Sequence, residues 1–221
     1  MYSLLYCYND KQLSPALFDK YLSNIPHEMM CEIMKFRNWQ DAQASLFGKL
    51  LLSHFFINDA SNHTLNDVRY SNNGKPYING STYFNISHSG SLVVCAFSKS
   101  CEIGVDVELI KNIDIESFEY LFAADELRQI KSSDDELNLF YTFWTIKEAA
   151  SKAEGQGLSM QLKNVVVIDD HVLIENKKWS YKNIDIDLRY KIHIVAKEPL
   201  DSVSLQCVVF TDTLLSKFDN L

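Results

Sequence analysis

The chain has 221 residues, 47% of them hydrophobic, enough to bury a core in one large domain or two small lobes and too many for an intrinsically disordered chain. With 21 basic and 29 acidic residues its net charge is −8, which argues against a general affinity for nucleic acid or anionic membrane and leaves a small anion held by a few placed groups. Cys7, Cys31, Cys95, Cys101 and Cys207 are odd in number and contain no C-x-x-C, and the longest apolar runs, such as Phe55 to Ile57, fall far short of a bilayer span, so a soluble cytoplasmic protein with free thiols is expected.

In chain order, Tyr2 to Tyr8 reads as a short strand, and Ser14 or Pro15 opens a helical pattern through Tyr21. Helix is expected again from His27. From Trp39 to Ile57, Ala42, Leu46, Leu50 and Phe55 recur at helical spacing, with Asn38 as cap and Asn58-Asp59 as exit. Gly48 inside that helix marks a close approach, to a sheet or to a ligand. Tyr70 to Tyr77 is a turn by composition, Phe84 to Gly90 ends a strand in a second polar turn, and Leu92 to Phe97 and Glu102 to Glu108 read as strands. Six of the seven glycines lie between Gly74 and Gly157, which concentrates tight turns, and the search for a site, in the middle of the chain.

The second half repeats this plan. A helical region from Ile115 to about Ser132 precedes a long helix that starts at Ser133-Asp134-Asp135-Glu136 and runs through Phe140, Trp144 and Glu148 to Gly155 or Gly157. Strands follow at Asn164 to Ile168, Ile184 to Val195 and Ser202 to Phe210. The expected fold class is α+β, with two similar lobes at residues 1–104 and 105–221, each an antiparallel sheet packed with a long helix.

Gly104-Val105-Asp106-Val107-Glu108 is the stretch around which the rest is organised. Strand alternation turns Asp106 and Glu108 to one face and Val105 and Val107 to the other. Two such carboxylates repel by roughly 4 kcal/mol at 4 Å and an effective dielectric near 20, which a divalent cation between them would relieve. An edge strand with its polar face in water would also tolerate them. On the long helix Trp144, Glu148 and Lys152 are spaced by four and share a face.

Taken together, Gly74-Lys75-Pro76, Phe84-Asn85-Ile86-Ser87-His88-Ser89, Gly104 to Glu108, and Phe143-Trp144-Thr145-Ile146-Lys147-Glu148-Ala149-Ala150-Ser151-Lys152 resemble, in order and spacing, the motifs of the 4'-phosphopantetheinyl transferases of the surfactin-synthetase-activating type. The resemblance extends less specifically through the Asp41 to Gly48 helix and the Gly155-Gln156-Gly157-Leu158 turn, covering about residues 35 to 170. It implies a monomer with its site in a cleft between two lobes. It also implies transfer of phosphopantetheine from coenzyme A to a serine of an acyl, aryl or peptidyl carrier protein, with Mg²⁺, or Mn²⁺ in its place, as cofactor. No nucleic acid or membrane partner is implied.

Phosphoryl transfer needs charge neutralisation more than covalent chemistry. Asp106, Glu108 and Glu148 would hold the metal through oxygen, and Lys152 would neutralise a phosphate beside it. Without the other motifs, Glu148 and Lys152 would read as an ordinary surface pair. The resemblance gives phosphates of coenzyme A to Ser87, His88 and Ser89, and the adenine to Gly74, Lys75 and Pro76. Ser45 matches a hydroxyl that meets the 3'-phosphate, but Ala44 stands where the family often has arginine, leaving Lys35 or Arg37 as substitutes. Phe122-Ala123-Ala124-Asp125-Glu126 matches the segment that carries the proton acceptor, making Glu126 the candidate base and Glu148 the second possibility. Carrier docking is expected at Tyr120, Leu121 and Phe122, flanked by Lys111, Arg128 and Lys131, although Leu121 and Phe122 also read as core residues. A Mg²⁺-dependent phosphohydrolase, or a relative that binds carrier protein without modifying it, would use the same residues.

Overall fold

The protein, seen in a computed structural model, is described over residues 1–59, 62–155, 161–211 and 214. Its first half runs β1 (Tyr2–Tyr8), α1 (Pro15–Leu22), α2 (His27–Ile33), α3 (Trp39–Asn58), β2 (Arg69–Tyr70), β3 (Pro76–Tyr77), β4 (Tyr83–Ser89) and β5 (Leu92–Ser98). Its second runs β6 (Ile103–Leu109), α4 (Ala124–Lys131), α5 (Glu136–Glu154), β7 (Val166–Ile168), β8 (His171–Ile174), β9 (Lys177–Asn183), β10 (Tyr190–Ala196) and β11 (Val203–Cys207).

Local chemistry sets several of these boundaries. Ser14 Oγ accepts the Leu17 N–H at 3.3 Å at the start of α1, and an Asp135 carboxylate oxygen accepts that of Asn138 at 3.1 Å at the start of α5. α5 ends on Gly155 at φ 85°, a conformation open to a residue without Cβ. The turn expected beyond it, through Gln156, Gly157 and Leu158, lies outside the described residues. Asn38 precedes α3, but its side chain turns to Asp41 rather than capping the helix.

Two main sheets form, in strand orders β11-β1-β5-β4 and β6-β10-β9-β8-β7, antiparallel throughout except for the parallel pair β1–β11. Residues 203–207 therefore stand in the first sheet and not in a second lobe of residues 105–221, because β11 covers the edge that β1 would otherwise leave open. One face of the first sheet packs on α1 to α3 through Leu5, Leu46, Leu50, Phe84 and Phe97. The other meets the second sheet through Leu4, Val94, Val105, Val107 and Ile192, and the far face of the second sheet carries α5.

Three expectations from the sequence change. Ile115 to Ser132 is a 3-10 turn, Ile115–Leu121, followed by α4, because the chain is extended at Phe122 and Ala123 and the Glu126 carboxylate accepts the Ala123 N–H at 2.8 Å. The strand expected from Ile184 contracts to Tyr190–Ala196, and the β8–β9 hairpin turns on Glu175 and Asn176, both at positive φ, as a two-residue turn requires. Ser87, His88 and Ser89 belong to β4 and not to a polar turn, since each pairs with a residue of β5.

The edge strands β4 and β6 are bridged by side chains. An edge strand presents unpaired N–H groups; here Asn85 Oδ1 accepts the Val105 N–H at 2.9 Å and Ser89 Oγ accepts the Leu109 N–H at 3.1 Å. Two glycines set the helices. A Cβ on Gly48 would lie 2.8 Å from the Ile86 side chain, and one on Gly104 only 2.1 Å from the Ala149 carbonyl oxygen, so α3 rests on side chains of β4 while α5 meets β6 at backbone distance. For Gly48 the close approach is therefore to a sheet.

Candidate active site

Since Val105 and Val107 face the other sheet, alternation turns Asp106 and Glu108 toward α5. There the Lys152 ammonium lies 2.6 Å from Asp106 Oδ1 and 2.9 Å from Ser87 Oγ, and Ser87 donates to the same Asp106 oxygen at 3.0 Å. Ser89 donates to Glu108 Oε2 at 2.7 Å. Ser87 and Ser89 thus serve the carboxylates of the neighbouring edge strand.

Burial pushes the Asp106 carboxyl up from the usual range against the pull of Lys152. It also raises Glu108, against the Ser89 hydroxyl, and Glu148, where the charges of Asp106 and Glu108 act in the same direction. The three acids expected as a metal cage therefore sense one another. Among the described residues, however, no three Asp, Glu, His or Cys side chains close on a common point, and Asp106 meets Lys152 instead. The second Asp106 oxygen, Oδ2, is buried and has no hydrogen-bond partner among the described residues. An orphaned carboxylate oxygen beside two further raised acids suits an oxygen-seeking cation.

His88, one residue along β4, points to the opposite face from Ser87 and Ser89, toward α3. His88 is exposed, yet partial desolvation and the nearby positive charge of Lys152 hold its imidazole down, Asp41 pulls it up, and Lys49 adds to the lowering. Lys49 donates to Ser45 Oγ at 3.1 Å, one helical turn apart, a pairing legible at i,i+4 but overlooked in the sequence. Ala44 is a core residue, and Lys35 and Arg37 are exposed.

Gly74 takes φ 80° in the turn before β3. Lys75 reaches away from it, donating to Glu102 at 2.5 Å and to the Ala153 carbonyl at 2.6 Å, while Asn73 donates to the Gly155 carbonyl at 3.1 Å. The Gly74-Lys75-Pro76 segment therefore ties the first half to the C-terminal end of α5, and Pro76 lines a smaller cavity of about 340 Å³ with Lys75 and Gly155. The larger cleft, about 780 Å³, is walled by Trp144, Glu148, Ser151 and Lys152 of α5, by Tyr120 and Leu121, and by Gln161, Leu162 and Lys163.

Glu126, expected as the candidate base, is engaged on both oxygens. It is 2% exposed, its Oε2 lies 2.8 Å from the Lys147 ammonium and accepts the Ala123 N–H, and its Oε1 accepts the Val167 N–H at 3.1 Å. These bonds occupy both carboxylate oxygens. Lys147 has no sequence signal of its own, since its partners lie 15 to 21 positions away. At the expected docking face Tyr120 is 71% exposed, Leu121 half-buried and Phe122 buried. Arg128 pairs with Asp125 and Lys131 with Glu119, so of the three expected cations only Lys111 carries no ion pair among the described residues.

Known proteins are similar to this chain over most of its length. The profile of the 4'-phosphopantetheinyl transferase superfamily matches residues 102–207, and that of the 4'-phosphopantetheinyl transferase N-terminal region matches residues 12–100. The chain is 33% identical over 205 residues to 4'-phosphopantetheinyl transferase Sfp of Bacillus subtilis (strain 168), spanning 87% of this chain and 91% of that one. It is 32% identical over 204 residues to the transferase gsp of Aneurinibacillus migulanus, covering 90% and 79% of the two chains. It is 25% identical over 221 residues to the L-aminoadipate-semialdehyde dehydrogenase-phosphopantetheinyl transferase of Rattus norvegicus, covering 84% and 71%.

Proposed function

The chain belongs to the 4'-phosphopantetheinyl transferase superfamily, and from that membership we propose how its residues carry the reaction. It is an enzyme that moves the 4'-phosphopantetheine group of coenzyme A to a serine of an apo carrier protein and releases adenosine 3',5'-bisphosphate. The serine oxygen bonds to the phosphorus that bears pantetheine, the bond from that phosphorus to the bridging oxygen breaks, and the bisphosphate leaves with the electron pair.

The observation that carries our assignment is the meeting of Lys152, a wall residue of the cleft, with Ser87 and Asp106, whose Oδ2 is buried and has no hydrogen-bond partner among the described residues. Asp106, Glu108 and Glu148 would hold Mg²⁺, or Mn²⁺ in its place. When bound, that ion supplies neutralisation of the pyrophosphate charge. Lys152 adds a positioned ammonium for a phosphate, and His88 with Ser45 offers an imidazole and a hydroxyl to the nucleotide end. Glu148, a cleft-wall acid whose carboxyl is raised, receives the serine proton in place of the engaged Glu126. Tyr120 and Leu121 form the lip on which the carrier docks.

Among the described residues no helix is long and apolar enough to cross a membrane. We take the enzyme to work as a cytoplasmic monomer that meets its carrier transiently. Mixing it with coenzyme A, Mg²⁺ and an apo carrier protein, then weighing the carrier by mass spectrometry, tests the assignment against Asp106→Asn. Full modification by that variant would remove Asp106 from the site.

A further inference from the structure

Lys147 and Glu126 form the most completely satisfied buried ion pair in the described structure, and the transfer chemistry above makes no use of it. Lys147 is 1% exposed, and its ammonium meets Glu126 Oε2 at 2.8 Å, the Leu162 carbonyl at 3.0 Å and the Val165 carbonyl. It also lies 5.9 Å from the centre of the Phe122 ring. Through Glu126 the pair extends to the backbone N–H groups of Ala123 and Val167.

These contacts converge on the three walls of the larger cleft. Lys147 is the residue before the cleft acid Glu148, Leu162 is itself a wall residue, and Phe122 and Ala123 follow directly on Tyr120 and Leu121. A buried pair of this kind adds little net stability over a well-packed apolar pair of similar volume, but breaking it leaves a charge stranded, so its geometry is held firmly. We propose that Glu126 and Lys147 are positioning residues that fix the width of this cleft, and with it the fit of the carrier's serine-bearing segment, without handling a proton. The inference rests on the reading that the cleft receives the carrier.

The test compares wild type, E126Q, K147M and the double variant, with kcat and KM measured for an apo peptidyl carrier protein and for coenzyme A. Each single variant is expected to raise the carrier KM about five- to twentyfold, leave the coenzyme A KM within about twofold and keep the shape of kcat against pH. The double variant should do no worse than the singles, because the two residues act as one unit. An unchanged carrier KM in E126Q overturns the proposal. So does a lost kcat with the acid limb of its pH profile removed, which would make Glu126 the proton acceptor. If K147M melts below the assay temperature, E126Q decides alone, since it keeps the side-chain shape and one oxygen for Lys147. A wild-type enzyme that adds no mass to the carrier would overturn the transfer reading itself, whereas an active wild type with an unaffected E126Q overturns only the positioning role.

Discussion

Lys152 and Ser87 meet on one oxygen of Asp106, at 2.6 Å and 3.0 Å, so a helix of the second half and the edge strand of the first are joined on a single buried carboxylate. Its other oxygen has no partner among the described residues. The arrangement makes Lys152 the cation of the metal-free site. Lys152→Met should lower stability by about 2 kcal/mol by stranding that carboxylate, and Mg²⁺ should raise the melting temperature of the variant more than that of wild type. Melting curves with Mg²⁺ and with a chelator check this; equal Mg²⁺ shifts in the two proteins would refute it.

Asp106→Asn keeps the shape of the side chain and an oxygen for Ser87 but removes the charge. Transfer should fall at least about a hundredfold with the fold retained. The readouts are carrier modification and Mn²⁺ binding by electron paramagnetic resonance. Wild-type Mn²⁺ affinity in the variant would take Asp106 out of the metal set.

The raised carboxyls give a signed pH dependence. A group whose folded pKa lies above its unfolded value binds more protons folded than unfolded, so its contribution to stability declines as pH rises through the window between the two. Asp106, Glu108 and Glu148 are all shifted this way, primarily by burial. Without metal, wild type should therefore lose stability relative to Glu148→Gln as pH climbs out of the ordinary carboxylate range, and Mg²⁺ should stabilise wild type more at neutral than at acidic pH. Paired melting curves across pH test both; a wild-type advantage that grows with pH would contradict the shift.

His88 faces α3, away from the Asp106 oxygens, so His88→Ala should act on donor binding more than on chemistry. Calorimetry should show coenzyme A bound about tenfold more weakly, with kcat at saturating donor reduced by less than about threefold. Intact coenzyme A affinity would remove His88 from the nucleotide end.

Gly104→Ala probes how the fold positions the site. A Cβ there would lie 2.1 Å from the Ala149 carbonyl oxygen and 2.4 Å from the Ala153 nitrogen, both backbone atoms. Displacing α5 should cost about 3 kcal/mol or more and move Glu148 and Lys152 off Asp106. A variant that melts like wild type and retains full activity would show that α5 needs no such close seat.

Much of this was legible because it rests on local periodicity. Alternation put Asp106 and Glu108 on one face, and fourfold spacing put Trp144, Glu148 and Lys152 on one side of a helix. The sequence is silent where partners are distant. Nothing local to Ser87 or Ser89 says that their hydroxyls reach another sheet's edge, and the polar run around His88 imitates a turn. Glu126 was read by its motif, while the lysine that engages it lies 21 positions on. The return of β11 to β1 spans nearly the whole chain and leaves no trace in either strand's composition.

The central claim is that this enzyme transfers phosphopantetheine at the Asp106 and Lys152 site. Its most direct test is the mass of an apo carrier protein after incubation with coenzyme A, Mg²⁺ and wild-type enzyme. The prediction is a gain of one phosphopantetheine on the carrier serine, absent when that serine is replaced by alanine and absent with Asp106→Asn. A carrier of unchanged mass beside hydrolysed coenzyme A, or full modification by Asp106→Asn, would contradict it.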